Sequence, residues 1–271
     1  SGPIIETART PVDARLQTLT LTTPALPAPT NVNVLLPDGY DSSGQTRYPV
    51  LYPLHGGASS YRDWVKNGGV EAATAGLNLI VVMPDCGLAG WYTDWFAPGT
   101  NGQQPKWETF HIEQLIPWID SQYRTVADRS GRAIGGLSMG GFGAFSYAAR
   151  HPDLYVAASS WSGALNTNDP PQLAAETIDA IGALAGAAPG SLFGPRATEE
   201  IRWRGHNPWD LAANLRGMLL QMRSGNGQPG GPLGGTRVDG LESEVHPMNV
   251  DMDARLTSLG IEHTFDDYGP G

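Results

Sequence analysis

Cysteine is nearly missing from this chain: Cys86 is the only one in 271 residues. That excludes an internal disulfide framework and a metal site built from cysteines. Lysine is almost as scarce. Lys66 and Lys106 are the two lysines among 17 basic residues, and the arginines that make up the rest form no cluster. With a net charge of −10 and a pI near 4.9, the chain lacks the basic footprint of a nucleic-acid binder or of a protein drawn to anionic membranes. No apolar run reaches about 18 residues, so no segment is expected to span a bilayer. Asp251, Asp253, Asp266 and Asp267 are acidic but make no recognisable ligand loop, so neither a metal nor another cofactor is expected. There is also no repeat, linker or mid-chain shift in composition, and residues 1–271 are expected to form a single domain. The sequence opens at Ser1 without a methionine and stays rich in Thr and Pro to Thr30. A secreted protein freed of its signal peptide would read this way, so a secreted or extracellular location is expected.

What the chain does have is a dense turn at Ile134-Gly135-Gly136-Leu137-Ser138-Met139-Gly140-Gly141. Gly136-x-Ser138-x-Gly140 is the nucleophile-elbow pattern, in which a serine sits on a sharp turn between a strand and a helix. Glycines are needed there because side chains two positions to either side would collide with neighbouring backbone. The flanks suit the motif. Residues 132–135 (RAIG) read as a short buried strand, and residues 141–150 (GFGAFSYAAR) read as a helix of small and aromatic residues.

The rest of the chain reads as strands and helices in alternation, which implies a mostly parallel sheet with helices on both faces. Residues 15–22 alternate polar and apolar like a half-buried edge strand, and 31–36 alternate as well before the turn at Pro37-Asp38-Gly39. Segments 48–54 and 77–83 are more continuously apolar, as strands buried on both faces should be. Further strands are expected at 155–161, 217–222 and 261–268. Ile112, Leu115, Ile116 and Ile119 recur at helical spacing within 107–123, a core-facing helix that Pro117 should kink. Residues 247–259 are expected to form a last helix. Residues 224–235 carry six glycines and follow a strand, which places them at the sheet edge where open α/β sheets bind ligands.

A serine hydroxyl is a poor nucleophile until a base takes its proton, so Ser138 needs a histidine and an acid to orient it. It also needs donors for the oxyanion. The N–H of Met139, directly after the serine, is one, and the turn His55-Gly56-Gly57-Ala58 should supply the other. Gly57 is the choice there, because a glycine lets backbone approach the substrate.

The chain resembles the antigen 85 mycolyltransferase and related esterase family of α/β-hydrolases. The matching segments are Tyr92-Thr93-Asp94-Trp95, Lys106-Trp107-Glu108-Thr109-Phe110, Gly136-Leu137-Ser138-Met139 and Gly225-Asn226-Gly227-Gln228-Pro229, and the resemblance runs from about Asn31 to the C-terminus. It implies an α/β-hydrolase fold and a small-molecule or lipid ester as substrate. It also implies the acid, because the family's glutamate follows the Gly-Asn-Gly loop in a Leu-Glu pair with an asparagine seven residues on. Leu241, Glu242 and Asn249 fit that spacing, with Asp239 and Glu244 as the alternatives. His55 and Trp95 are expected to contact substrate.

The sequence departs from the family in two places. Where the mycolyltransferases carry an aspartate and an arginine in the oxyanion loop, this chain has His55 and Ala58, which favours ester hydrolysis over mycolyl transfer. The family's catalytic histidine follows the last strand in a Gly-x-His-x-Trp-like segment, and the sequence reaches Gly271 where that segment should begin. The expectation is that C-terminal residues are missing. His206 and His246 lie nearest the expected site but read as ordinary surface histidines. Two functions follow: a serine esterase or acyltransferase, or a non-catalytic cell-surface or binding protein that keeps the fold without the base.

Overall fold

The computed structural model describes residues 2–271, with the backbone alone described at 171–174. Nine strands make one sheet: β1 (Ile5–Pro11), β2 (Leu16–Thr22), β3 (Thr30–Leu35), β4 (Val50–Leu54), β5 (Ile80–Pro84), β6 (Arg132–Leu137), β7 (Ala157–Trp161), β8 (Leu219–Ser224) and β9 (Thr264–Asp267). Their spatial order is β1-β2-β3-β5-β4-β6-β7-β8-β9. The first four in that order pair antiparallel, and every pairing from β5 and β4 onward is parallel. This is the α/β-hydrolase architecture that the resemblance implied.

The strands expected from hydrophobic alternation are present, each within a few residues of its expected ends. β1 was not expected, and it takes the outer edge from β2. Its residues are mostly exposed, so it carries no apolar period for the sequence to reveal.

The helices are α1 (Asp63–Lys66), α2 (Val70–Ala73), α3 (Ile116–Gln122), α4 (Met139–Arg150), α5 (Pro171–Gly182), α6 (Glu200–Arg204), α7 (Pro208–Leu211) and α8 (Gly240–Ser258). The main core lies on the face covered by α4, whose side chains from Met139 to Ala149 are all buried. A smaller cluster of Leu16, Leu35, Val70, Val81 and Met83 lies under α1 and α2.

Residues 107–123 do not form one kinked helix. A π-helical stretch, Thr109–Leu115, passes directly into α3. Pro117 has no N–H to donate and its ring crowds the carbonyl four residues back, so wider winding ahead of it accommodates what a kink would otherwise absorb. The apolar stripe is where the periodicity put it, with Ile112, Leu115, Ile116 and Ile119 buried. The last helix also differs. It starts at Gly240, because the Asp239 carboxylate accepts the N–H groups of Leu241 and Glu242 and so caps it. Among the described residues no helix is long and apolar enough to cross a membrane.

Candidate active site

Parallel strands bring their C-terminal ends to one rim, and four of the expected segments meet there. Ser138 follows β6 and immediately precedes α4, with φ 56° and ψ −116°. A side chain in the left-handed region is strained, so surrounding contacts must hold it. Its N–H donates to the Trp161 carbonyl at 2.9 Å, and its carbonyl accepts from Phe142 at 3.1 Å. The flanking glycines are required by packing. A Cβ on Gly136 would lie 2.0 Å from the Gly140 carbonyl oxygen, and one on Gly140 would lie 2.2 Å from that of Leu54. No side chain fits either place.

Ser138 is half-buried and lines a cavity of about 40 Å³. Larger depressions exist, one of about 480 Å³ over Ala133, Ala157 and Leu219, but Ser138 does not line them. The turn after β4 lies against the serine: a Cβ on Gly56 would come 3.5 Å from the Ser138 Cβ. Among the described residues, the N–H groups of Gly57 and Met139 have no hydrogen-bond acceptor. Met139 is the first residue of α4, where an N–H has no partner within the helix. Both groups are thus free to donate to a ligand.

Glu242 sits in the first turn of α8 and reaches back to the rim. Its Oε1 accepts from the Ser162 hydroxyl at 2.9 Å and from the Gly225 N–H at 2.7 Å, with the Ser224 hydroxyl 3.0 Å away. Ser162 follows β7 and Ser224 ends β8, so one carboxylate oxygen fastens α8 to two strand ends. Oε2 has no hydrogen bond among the described residues. The Gly-Asn-Gly loop shapes this corner. Gly227 has φ 71°, and a Cβ there would meet the Ser243 hydroxyl at 2.2 Å. Asn249, two turns along α8, is fully buried and donates to the carbonyls of Gly163 and Val245, both at 2.9 Å. The two alternatives to Glu242 are engaged elsewhere. Asp239 caps α8, and Glu244 accepts from the Thr177 hydroxyl of α5 at 2.8 Å.

His55 and Trp95 are not where a substrate contact was expected. His55 is 0 % exposed. Its Nδ1 lies 2.7 Å from the Gly56 carbonyl, and its Nε2 lies 2.9 Å from the Cys86 N–H. Nε2 also lies 3.1 Å from Asp85 Oδ1, so both ring nitrogens are engaged and the ring braces the turn. Trp95 is 4 % exposed and donates its indole N–H to the Gly90 carbonyl. In both cases the side chain is packed beneath the loop that carries it, away from the cavity.

The Lys-Trp-Glu-Thr-Phe segment has a supporting role. Asp94 accepts from the Thr109 N–H and hydroxyl, at 2.9 and 2.6 Å, and Trp107 stacks on His111. Glu108 binds Arg150 and His151 at the end of α4, both through Oε1, at 2.8 and 2.7 Å. Burial would raise the Glu108 carboxyl, but hydrogen bonds from His151 and Arg150, with the charges of Arg150 and His206, hold it at about 2. His206, beside this cluster, is lowered to about 4 by burial and by the Arg150 charge. His111 is lowered to about 4 by burial, against the pull of its bond to the Asp85 carbonyl.

All six histidines are hydrogen-bonded to other groups of the chain. His246, one turn beyond Glu242, pairs with Asp267 at 3.0 Å, and His263 pairs with Asp253 at 2.8 Å. Among the described residues none is hydrogen-bonded to Ser138 or Glu242. Among the described residues no three His, Cys, Asp or Glu side chains are grouped to hold a metal ion.

α5 went unnoticed in the sequence, although it supplies one wall of the cavity through Thr177, Ile178 and Ile181. A signal was there: Pro171 at a helix start, with Ala175, Ile178 and Ile181 spaced along one face.

A protein-family comparison matches the Esterase family over residues 23–268. Esterase Rv1288 of Mycobacterium tuberculosis (strain ATCC 25618 / H37Rv) is 36 % identical over 257 residues, covering 93 % of this chain and 54 % of that protein. Diacylglycerol acyltransferase/mycolyltransferase Ag85B of Mycobacterium leprae (strain TN) is 33 % identical over 219 residues, or 77 % of this chain and 64 % of the relative. The chain thus spans roughly half to two thirds of these curated relatives' length. Among solved structures, Mycobacterium tuberculosis MPT51 (FbpC1) superposes with a TM-score of 0.73 at 24 % identity, over 94 % of this chain and 90 % of that one. An S-formylglutathione hydrolase from Agrobacterium tumefaciens gives a TM-score of 0.71 at 16 % identity, over 98 % and 92 %. At those identities the structural likeness speaks for the fold.

Proposed function

The chain belongs to the Esterase family, and on that footing we propose that it cleaves or transfers the acyl group of a small-molecule or lipid ester through an acyl-enzyme on Ser138. The observation that carries this reading is the strained Ser138, lining a cavity beside two N–H groups that have no acceptor among the described residues. In the first half-reaction the Ser138 oxygen adds to the ester carbonyl while an imidazole takes the hydroxyl proton. The N–H groups of Met139 and Gly57 donate to the oxyanion. Collapse expels the alcohol, which receives that proton, and leaves an ester on Ser138. Water or a second alcohol then repeats the steps in reverse and frees the serine.

Glu242 is the orienting acid, with Oε1 tied down and Oε2 available to an imidazole N–H. The mechanism requires a histidine at that oxygen, and none of the six in residues 1–271 occupies the place. Hydrolysis is favoured over transfer to a sugar. The expected acceptor positions hold the buried His55 and Ala58, which has no hydrogen-bonding side chain.

The experiment is turnover of p-nitrophenyl acetate by the full encoded chain. Ser138→Ala should lower the rate by several orders of magnitude, and an unchanged rate would contradict the reading. The engagement of all six histidines favours one other function, a binding protein that does not turn its ligand over. That reading predicts saturable ester binding by wild type and Ser138→Ala alike, with no release of p-nitrophenol.

A further inference from the structure

The space next to Ser138 is small and walled by one helix. The cavity measures about 40 Å³, and a single water needs about 10–15 Å³ by a comparable measure. It therefore has room for about three non-hydrogen atoms. Its walls are mainly apolar, with Ile178, Ile181, Val245 and Met248 among them. Three polar side chains besides Ser138 also line it and are engaged: Thr177 donates to Glu244 at 2.8 Å, and Thr167 donates to Asn207 at 3.2 Å. Such a space accepts hydrocarbon and offers little to a polar chain.

The cavity has an open end and a closed end. Leu241, at the mouth, is 65 % exposed, whereas Ile178 is 2 % exposed and belongs to the main core. Ile181 lies on the same wall nearer the oxyanion turn: a Cβ on Gly57 would meet its Cγ2 at 3.3 Å. The wall is braced. Thr177 ties α5 to α8 through Glu244, and Asp179 accepts the Gly190 N–H at 3.3 Å. A Cβ on Gly182 would be 2.7 Å from Leu192, so the end of α5 is packed close as well.

We infer that Ile178 and Ile181 set the acyl length this site accepts, and that the acyl group is short, no longer than butyryl. The inference rests on acylation of Ser138 and adds the substrate class. A longer chain has to displace Ile178 from the core or leave through the mouth past Leu241, and either route gives up the contacts that shorter chains make.

The test is a series of p-nitrophenyl esters from acetate to octanoate on the full encoded chain, read as kcat/KM. Wild type should use the esters from acetate through butyrate best and lose about tenfold or more by octanoate, since a methylene that does not fit costs about that much. Ile178→Ala and Ile181→Ala should each raise the octanoate-to-butyrate ratio by about tenfold. A ratio compares two substrates on one preparation, so partial loss of folded protein cancels, and the half-buried Ile181 serves if Ile178→Ala folds poorly. Equal or better use of octanoate by wild type, or ratios unmoved in both variants, would overturn the inference while leaving the acyl-enzyme intact. Failure to turn over any ester, acetate included, would count against acylation of Ser138 itself and remove this inference with it.

Discussion

The Ser162 hydroxyl donates to Oε1 of Glu242 at 2.9 Å, from the residue next to Trp161, whose carbonyl accepts the Ser138 N–H. One backbone hydrogen bond, one peptide link and one side-chain hydrogen bond therefore connect the strained serine with the carboxylate. Ser138 and Ser162 follow the ends of β6 and β7, and Glu242 meets them from the first turn of α8.

Replacing Glu242 with glutamine should separate chemistry from structure. The amide oxygen can still accept from Ser162 and Gly225, so the unfolding midpoint should stay close to that of wild type. The group that orients an imidazolium is lost, and kcat should fall by about 10⁴-fold. Parallel rate and denaturation measurements check this, and an unfolded variant or an undiminished rate would contradict it.

Ser138→Gly should make the protein more stable and inactive. The φ of 56° is strained for serine and for alanine but free for glycine. The glycine variant should exceed Ser138→Ala by about 1 kcal/mol in chemical denaturation, and neither variant should turn over esters. Equal stability of the two would show that the turn stores no strain.

Asn249→Ala should loosen the corner that holds the acid. It removes both 2.9 Å bonds and leaves the buried Gly163 carbonyl without that donor. A loss of about 1–3 kcal/mol is expected, with a drop in kcat as the face of α8 that carries Glu242 loses its anchor on the β7 loop. Denaturant midpoints and rates measured on the same sample test both parts.

Stability should fall with acidity in two overlapping stages. His111 and His206 stay unprotonated in the folded chain down to about 4, below the ordinary 6.5. The unfolded chain therefore binds more protons as pH drops from about 6.5 to 4, and each histidine withdraws on the order of 3 kcal/mol over that range. Glu108, held at about 2 against an ordinary 4.5, contributes stability that is present above about 4.5 and lost as pH falls toward 2. Melting temperatures between pH 7 and pH 4 should decline, and His206→Gln should flatten the slope. A midpoint independent of pH over that range would refute this.

Much of this architecture was readable because buried parallel strands and amphipathic helices leave periodic apolar patterns. Gly136-x-Ser138-x-Gly140 was readable for a different reason: backbone contacts near 2 Å admit no other residue. β1 left no trace because its side chains are mostly exposed. Glu242 could be picked out by resemblance, but that it lies within α8 depends on the Asp239 cap, which moved the helix start back. His55 shows the opposite error. A histidine beside an oxyanion turn suggests ligand contact, yet this one is buried, with its ring nitrogens on the Gly56 carbonyl, the Cys86 N–H and the Asp85 carboxylate. Burial of a polar side chain under its own loop is a tertiary property, and spacing along the chain does not encode it.

The most direct test of the central claim is covalent. A fluorophosphonate probe phosphonylates a serine only when a neighbouring base has activated it, so the full encoded chain should be incubated with the probe and digested for mass spectrometry. The account predicts a single adduct on the peptide containing Ser138, absent in Ser138→Ala. No adduct, or one that persists in that variant, would contradict it.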